Sequence, residues 1–60
     1  MDVRDVRPGQ VFEKGGRKRQ VLGFDGYFVI YRTISSRPRK IGEALWHFEK
    51  WLKGANEVTE

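Results

Sequence analysis

Apolar residues fall at strand spacing through the first two thirds of the chain and at helical spacing near its end. Gln10 to Lys14 is predicted as a short strand with Val11 and Phe12 on opposite faces. Arg17 to Phe24 and Tyr27 to Ile34 are two longer runs rich in branched and aromatic residues, with Asp25-Gly26 between them as a hairpin signal. A two-residue turn there pairs Leu22 with Val29 and Gln20 with Tyr31 on one face. The other face then holds Val21 with Ile30 and Arg19 with Arg32. Both faces are apolar near the turn, so one is expected to line the inside of a small barrel and the other to seat a helix.

Pro8-Gly9 and Gly15-Gly16 are turn signals, and Ser35 to Pro38 is a loop. Arg39 to Ile41 fits a short fourth strand. Ala44, Leu45, Phe48, Trp51 and Leu52 fall within about 120° of a helical projection. The helix is expected over Glu43 to Lys53, with Gly42 as N-cap and Gly54 as its stop. A polar lead-in precedes the first strand. The expected class is α+β: a small, bent antiparallel sheet of three or four short strands followed by one C-terminal helix. Residues 1–54 form the domain and residues 55–60 a flexible tail.

From Arg7 to Arg32 the chain resembles a small SH3-like barrel of the KOW sort. The residues that carry the resemblance are Pro8-Gly9, Gly15-Gly16, Val21-Leu22-Gly23-Phe24, Asp25-Gly26 and Val29-Ile30-Tyr31. It covers under half the chain, and the Phe48–Trp51 helix lies outside it. The resemblance implies a barrel used for RNA, DNA or protein contacts. Short proteins of this meander-plus-helix layout are also common in phages and prophages.

Length restricts the rest. A chain of 60 residues buries only about 60% of its unfolded surface. With no cysteine, it has neither a disulfide nor a thiolate for a metal. Two Trp, two Tyr and four Phe must supply most of the core. No apolar run approaches the roughly 20 residues of a membrane span. The N-terminus lacks a signal-peptide layout, which points to a cytoplasmic protein without membrane contacts.

The formal net charge of +4 is unevenly placed: residues 14–40 alone carry +7, with Asp25 their single acid. Such a concentration suits a polyanion. Arg17, Lys18, Arg19, Arg32, Arg37, Arg39 and Lys40 are the candidate phosphate contacts, because the arginine fork matches a phosphate bidentately. Tyr31 is the candidate base-stacking ring. Opposing Arg19 and Arg32 across a hairpin costs stability unless an anion neutralises them.

Trp46 lies off the apolar helix stripe, where an exposed tryptophan marks a partner contact. Lys50, one turn on, is in reach of it for a cation–π pair. His47 and Glu43 share a side but are too few for zinc. No nucleophile, phosphate loop or metal cluster is present in the sequence, so neither an enzyme nor a cofactor is expected.

Two classes of function follow. One is a small basic nucleic-acid-binding module that contacts mainly the phosphate backbone. The other is a protein-interaction module or small phage-type regulator that binds an acidic protein surface, with a homo-oligomer joined through Trp46 as a variant.

Overall fold

The computed structural model describes residues 3–58. Of the predicted lead-in over Met1 to Arg7 and the predicted tail over residues 55–60, Met1, Asp2, Thr59 and Glu60 lie outside the described residues. A 3-10 turn (Val3–Asp5) precedes strands β1 (Val11–Lys14), β2 (Arg17–Asp25), β3 (Phe28–Ile34) and β4 (Lys40–Ala44). Helix α1 (Leu45–Leu52) and strand β5 (Asn56–Val58) complete the chain. All neighbouring strands run antiparallel in the order β4-β3-β2-β1-β5.

This is the predicted α+β class but not the predicted barrel. The two edge strands each bond one neighbour, β4 to β3 and β5 to β1, and not each other. The sheet is therefore open, and the resemblance to an SH3-like KOW barrel is overturned. The reason lies at Ala44-Leu45, where β4 passes into α1 with no loop between them. The helix packs on the sheet face that carries Val21, Val29 and Tyr31, and the chain leaves it at the β1 edge.

Glycine sets the turns. Gly15 and Gly16 both have positive φ (59° and 78°), as a type I′ hairpin requires. Between β2 and β3 the two-residue turn is Gly26-Tyr27, one position later than predicted, because Asp25 pairs with Phe28. Gly26 has φ +60° and no non-glycine has positive φ among the described residues, as in a type II′ turn. A bulge at Leu22 shifts the register again between Val21 and Gly23.

The combined offset pairs Val21 with Tyr31, Gln20 with Arg32 and Arg19 with Thr33. Side chains alternate along a strand, so an odd offset reverses which residues share a face. The predicted Arg19–Arg32 pair does not exist: Arg19 faces the helix and Arg32 faces away from it.

The covered face carries the core. Val6, Phe12, Val21, Val29, Phe48 and Leu52 are buried together, with Val3, Leu45, Trp51 and Ala55 half-buried around them. Phe48 stacks on Tyr31 and on Trp51, with ring centroids 5.6 Å apart in each pair. The helix begins at Leu45 rather than Glu43, with Ala44 instead of Gly42 at its N-cap position. No side chain caps it; the Leu45 N–H donates to the Tyr27 carbonyl at 2.8 Å. At the other end Lys14 Nζ donates to the Trp51 carbonyl at 3.0 Å, a cation placed at the negative pole of the helix. Gly54 (φ +84°) stops the helix, as predicted, but the chain then forms β5 beside β1 where a flexible tail is predicted.

No described residue covers the opposite face of the sheet. Leu22, Phe28 and Ile34 stand exposed on it among Lys18, Arg32 and Lys40. Gly42 leaves room there for Ile30, whose Cδ1 lies 3.3 Å from where a Cβ at position 42 would sit. No helix among the described residues is long and apolar enough to cross a membrane.

Candidate functional site

The open end of the β2–β3 hairpin gathers the basic residues. The turn before β2 brings in Arg17, and the β3–β4 loop brings in Arg37 and Arg39. Thr33 shapes that loop: its Oγ1 accepts from the Arg39 N–H at 2.9 Å, and its own N–H donates to the Arg39 carbonyl at 2.9 Å. Ser35 Oγ accepts from the Arg37 N–H at 3.3 Å. Sequence reasoning treats Thr33 and Ser35 as plain loop polar groups. They are the residues that hold two arginines in place, and an ST-turn signal beside Pro38 is the only trace of this in the sequence.

These segments enclose a cleft of about 420 Å³ lined by Arg17, Lys18, Arg19, Arg37 and Arg39, with Tyr31, Thr33, Ile34, Ser35 and Ile41. No acid among the described residues lines it. Arg17, Arg37 and Arg39 are exposed and have no ion-pair partner among the described residues. Six of the eight predicted nucleic-acid contacts thus meet in one place. The other two, Arg32 and Lys40, pair with each other in register on the uncovered face. Arg32 Nε there donates to Gln20 Oε1 at 2.6 Å. Lys18 lies across from Glu13, 4.0 Å away.

Arg19 and Tyr31 line the cleft but belong to the core's polar boundary. The Arg19 guanidinium lies 4.6 Å from the Tyr31 ring centroid and 4.3 Å from that of Trp51. Its Nη1 reaches Glu43 Oε1 at 3.4 Å. Tyr31 is 2% exposed with Phe48 stacked on it, so its ring offers no platform for a base. Glu43 approaches His47 Nδ1 at 3.4 Å, on the side the two are predicted to share, and it is also the counter-ion of Arg19, a role the sequence does not show.

Burial holds the Tyr31 phenol above the usual tyrosine range; Arg19 opposes this, while the charge of Glu43 and its hydrogen bond with the phenol add to it. The folded state therefore keeps this proton more tightly than the unfolded chain does. Stability is expected to hold up to the ordinary tyrosine range, near pH 10.0, and to fall as pH rises above it. Denaturant midpoints at about pH 8 and about pH 11 measure this. Tyr31→Phe should remove the part of the fall due to this group, and equal falls in both proteins would refute the assignment.

Trp46 is 70% exposed, as its place off the stripe predicts. Its ring meets the edge of His47 at 5.2 Å, and no cation–π contact joins it to Lys50 among the described residues. It lies at the far end of the molecule from the basic cleft, beside the hairpin turn that Leu45 bonds. Among the described residues no three His, Asp or Glu side chains could hold a metal ion. No family model matches the chain, and no curated protein or solved structure matches it either.

Proposed function

We propose that this domain binds nucleic acid through the phosphate backbone, with Arg17, Arg37 and Arg39 as the principal contacts. The observation that supports this reading is the cleft itself: five cations from two stretches of chain, and no acid in its lining among the described residues. Arginine forks at such a site take phosphate oxygens bidentately, and phosphate contacts of this kind carry no base sequence. Arg19 acts indirectly, its charge shared with Glu43, and Lys18 stands at the rim.

Fluorescence anisotropy with a labelled single-stranded oligonucleotide of mixed sequence tests the reading. Three phosphate contacts give a slope of roughly −2 for log affinity against log salt, or about 20-fold weaker binding from about 50 to about 200 mM salt. The triple variant Arg17→Ala, Arg37→Ala, Arg39→Ala should flatten that slope while the circular dichroism spectrum stays unchanged, since all three side chains are exposed. An affinity indifferent to salt, or to the triple variant, would overturn the reading.

Trp46 favours a second reading, docking of an acidic protein partner or of another copy of the chain, because an exposed tryptophan is an interface anchor. A complex that survives nuclease treatment and is lost with Trp46→Ala separates this reading from the first.

A further inference from the structure

The basic cleft adjoins a second one, with two lining residues in common. A groove of about 650 Å³ lies on the uncovered side of the sheet, between the Pro8-Gly9 turn and β5. Lys18 and Ile34, which pair across β2 and β3, line both clefts. The two therefore meet over a single ridge at the open end of the hairpin, one on each side of the sheet.

Their linings differ in chemistry. The second groove has an apolar floor of Val11, Ile34 and Val58, and a polar rim of Gln10, Gln20 and Glu57. That rim is already held in place. Gln10 Oε1 accepts from the Arg7 N–H at 2.6 Å, and its Nε2 donates to Glu57 Oε2 at 3.4 Å. Gln20 Nε2 donates to the Gly9 carbonyl at 3.3 Å while its Oε1 accepts from Arg32. Each amide keeps a further hydrogen and a further lone pair, and Glu57 keeps a second carboxylate oxygen. Among the described residues Lys18 and Glu57 are the only charged ones lining this groove, and their charges cancel.

We infer that the ligand is a single strand that crosses the Lys18–Ile34 ridge, its phosphates in the basic cleft and an unpaired base in the second groove. The inference rests on the phosphate-binding reading above and narrows its ligand. A single strand has a charged edge and flat apolar bases with polar rims, and the two linings match these in turn. Glu57 repels phosphate from the second groove and accepts an amino group from a base edge. A duplex cannot satisfy the site, because its base faces are stacked and its two edges are both phosphate. A second copy of the chain is disfavoured by the cations on the same face, Lys18, Arg32 and Lys40.

The test compares three labelled probes with the full chain at one salt concentration: a single-stranded 8-mer, the same strand annealed to its complement, and an abasic 8-mer with the same phosphates. The single strand is expected to bind at least about tenfold more tightly than either of the others, equivalent to about 1.4 kcal/mol. In the double variant Val11→Ser, Val58→Ser, at two positions that line only the second groove, that preference should shrink to about twofold or less, with abasic affinity unchanged as the control that the fold and basic cleft survive. Equal binding of all three probes overturns the inference and leaves the phosphate reading standing. An oligoglutamate of equal charge that matches the single strand also overturns it. No binding by any probe overturns both readings.

Discussion

Phe48→Ala is expected to abolish the cooperative unfolding transition near room temperature. Phe48 is fully buried and touches the two other rings that close the core, Tyr31 and Trp51. Truncating a phenylalanine in such a place costs about 3–5 kcal/mol. A domain of this length has a total stability of about 3–9 kcal/mol. The loss is comparable to the whole, and a chain without cysteine has no disulfide to limit the damage. Near-ultraviolet circular dichroism and a thermal scan measure it: the wild type should show a sigmoidal melt and the variant a weak, sloping one. Trp46→Ala, two positions earlier on the same helix but 70% exposed, should change stability by no more than about 0.5 kcal/mol. A Phe48→Ala protein that melts within a few degrees of wild type would show that the stack is not what holds the helix to the sheet.

That contrast between Phe48 and Trp46 was legible in the sequence, because a helical stripe needs only local spacing. So were the Gly15-Gly16 turn and the stop at Gly54, where glycine is the residue that accepts positive φ. The β2–β3 register was not. Gly26 can occupy either central position of a two-residue turn, and both placements leave apolar runs on each side. The bulge at Leu22 has one trace in the sequence, the isolated glycine at position 23, which permits a bulge within a strand but does not require one. These two offsets exchange the environments of Arg19 and Arg32, one ending against the rings of Tyr31 and Trp51 and the other facing away from the helix. Strand β5 was invisible for a different reason. Asn56-Glu57-Val58 has neither length nor alternation, and it becomes a strand only because Gly54 returns the chain beside β1. Whether the sheet closes depends on which edges meet, and local patterning does not carry that information.

The candidate site was legible as a list of cations, less so as a geometry. Arg17, Arg37 and Arg39 were recognisable from charge density alone. Their convergence depends on Thr33 and Ser35, whose backbone bonds fold the loop toward β2. The second groove was hidden because its apolar floor combines Val11, Ile34 and Val58, residues from three strands whose mutual placement follows from the register and from β5.

Arg19 decides how much of the basic cluster is structural, and Arg19→Ala is expected to lower stability by about 2–4 kcal/mol. It would remove a charge-assisted contact to Glu43, worth about 1.5–3 kcal/mol, and two cation–π contacts of about 0.5–2 kcal/mol each. These overlap and do not add. The pair is not fully withdrawn from water, with side chains 20% and 17% exposed, which keeps the loss below that of a fully buried ion pair. At about 4–8 °C per kcal/mol for a domain this small, the melting temperature should drop by some 10–25 °C. Part of that loss is the carboxylate left without its cation. Glu43→Gln added to Arg19→Ala should therefore cost little further, or restore stability, whereas Glu43→Gln alone should destabilise. A cycle in which the two single losses simply add would show that the ion pair contributes nothing. Arg19→Lys keeps the charge but not the planar group between two rings, and should fall between wild type and Arg19→Ala. A ligand arginine would behave differently: at a temperature where each variant stays folded, Arg37→Ala should reduce the salt dependence of oligonucleotide binding by about one phosphate contact. Arg19→Ala should leave that slope nearly intact, because Glu43 already holds its charge in the free protein.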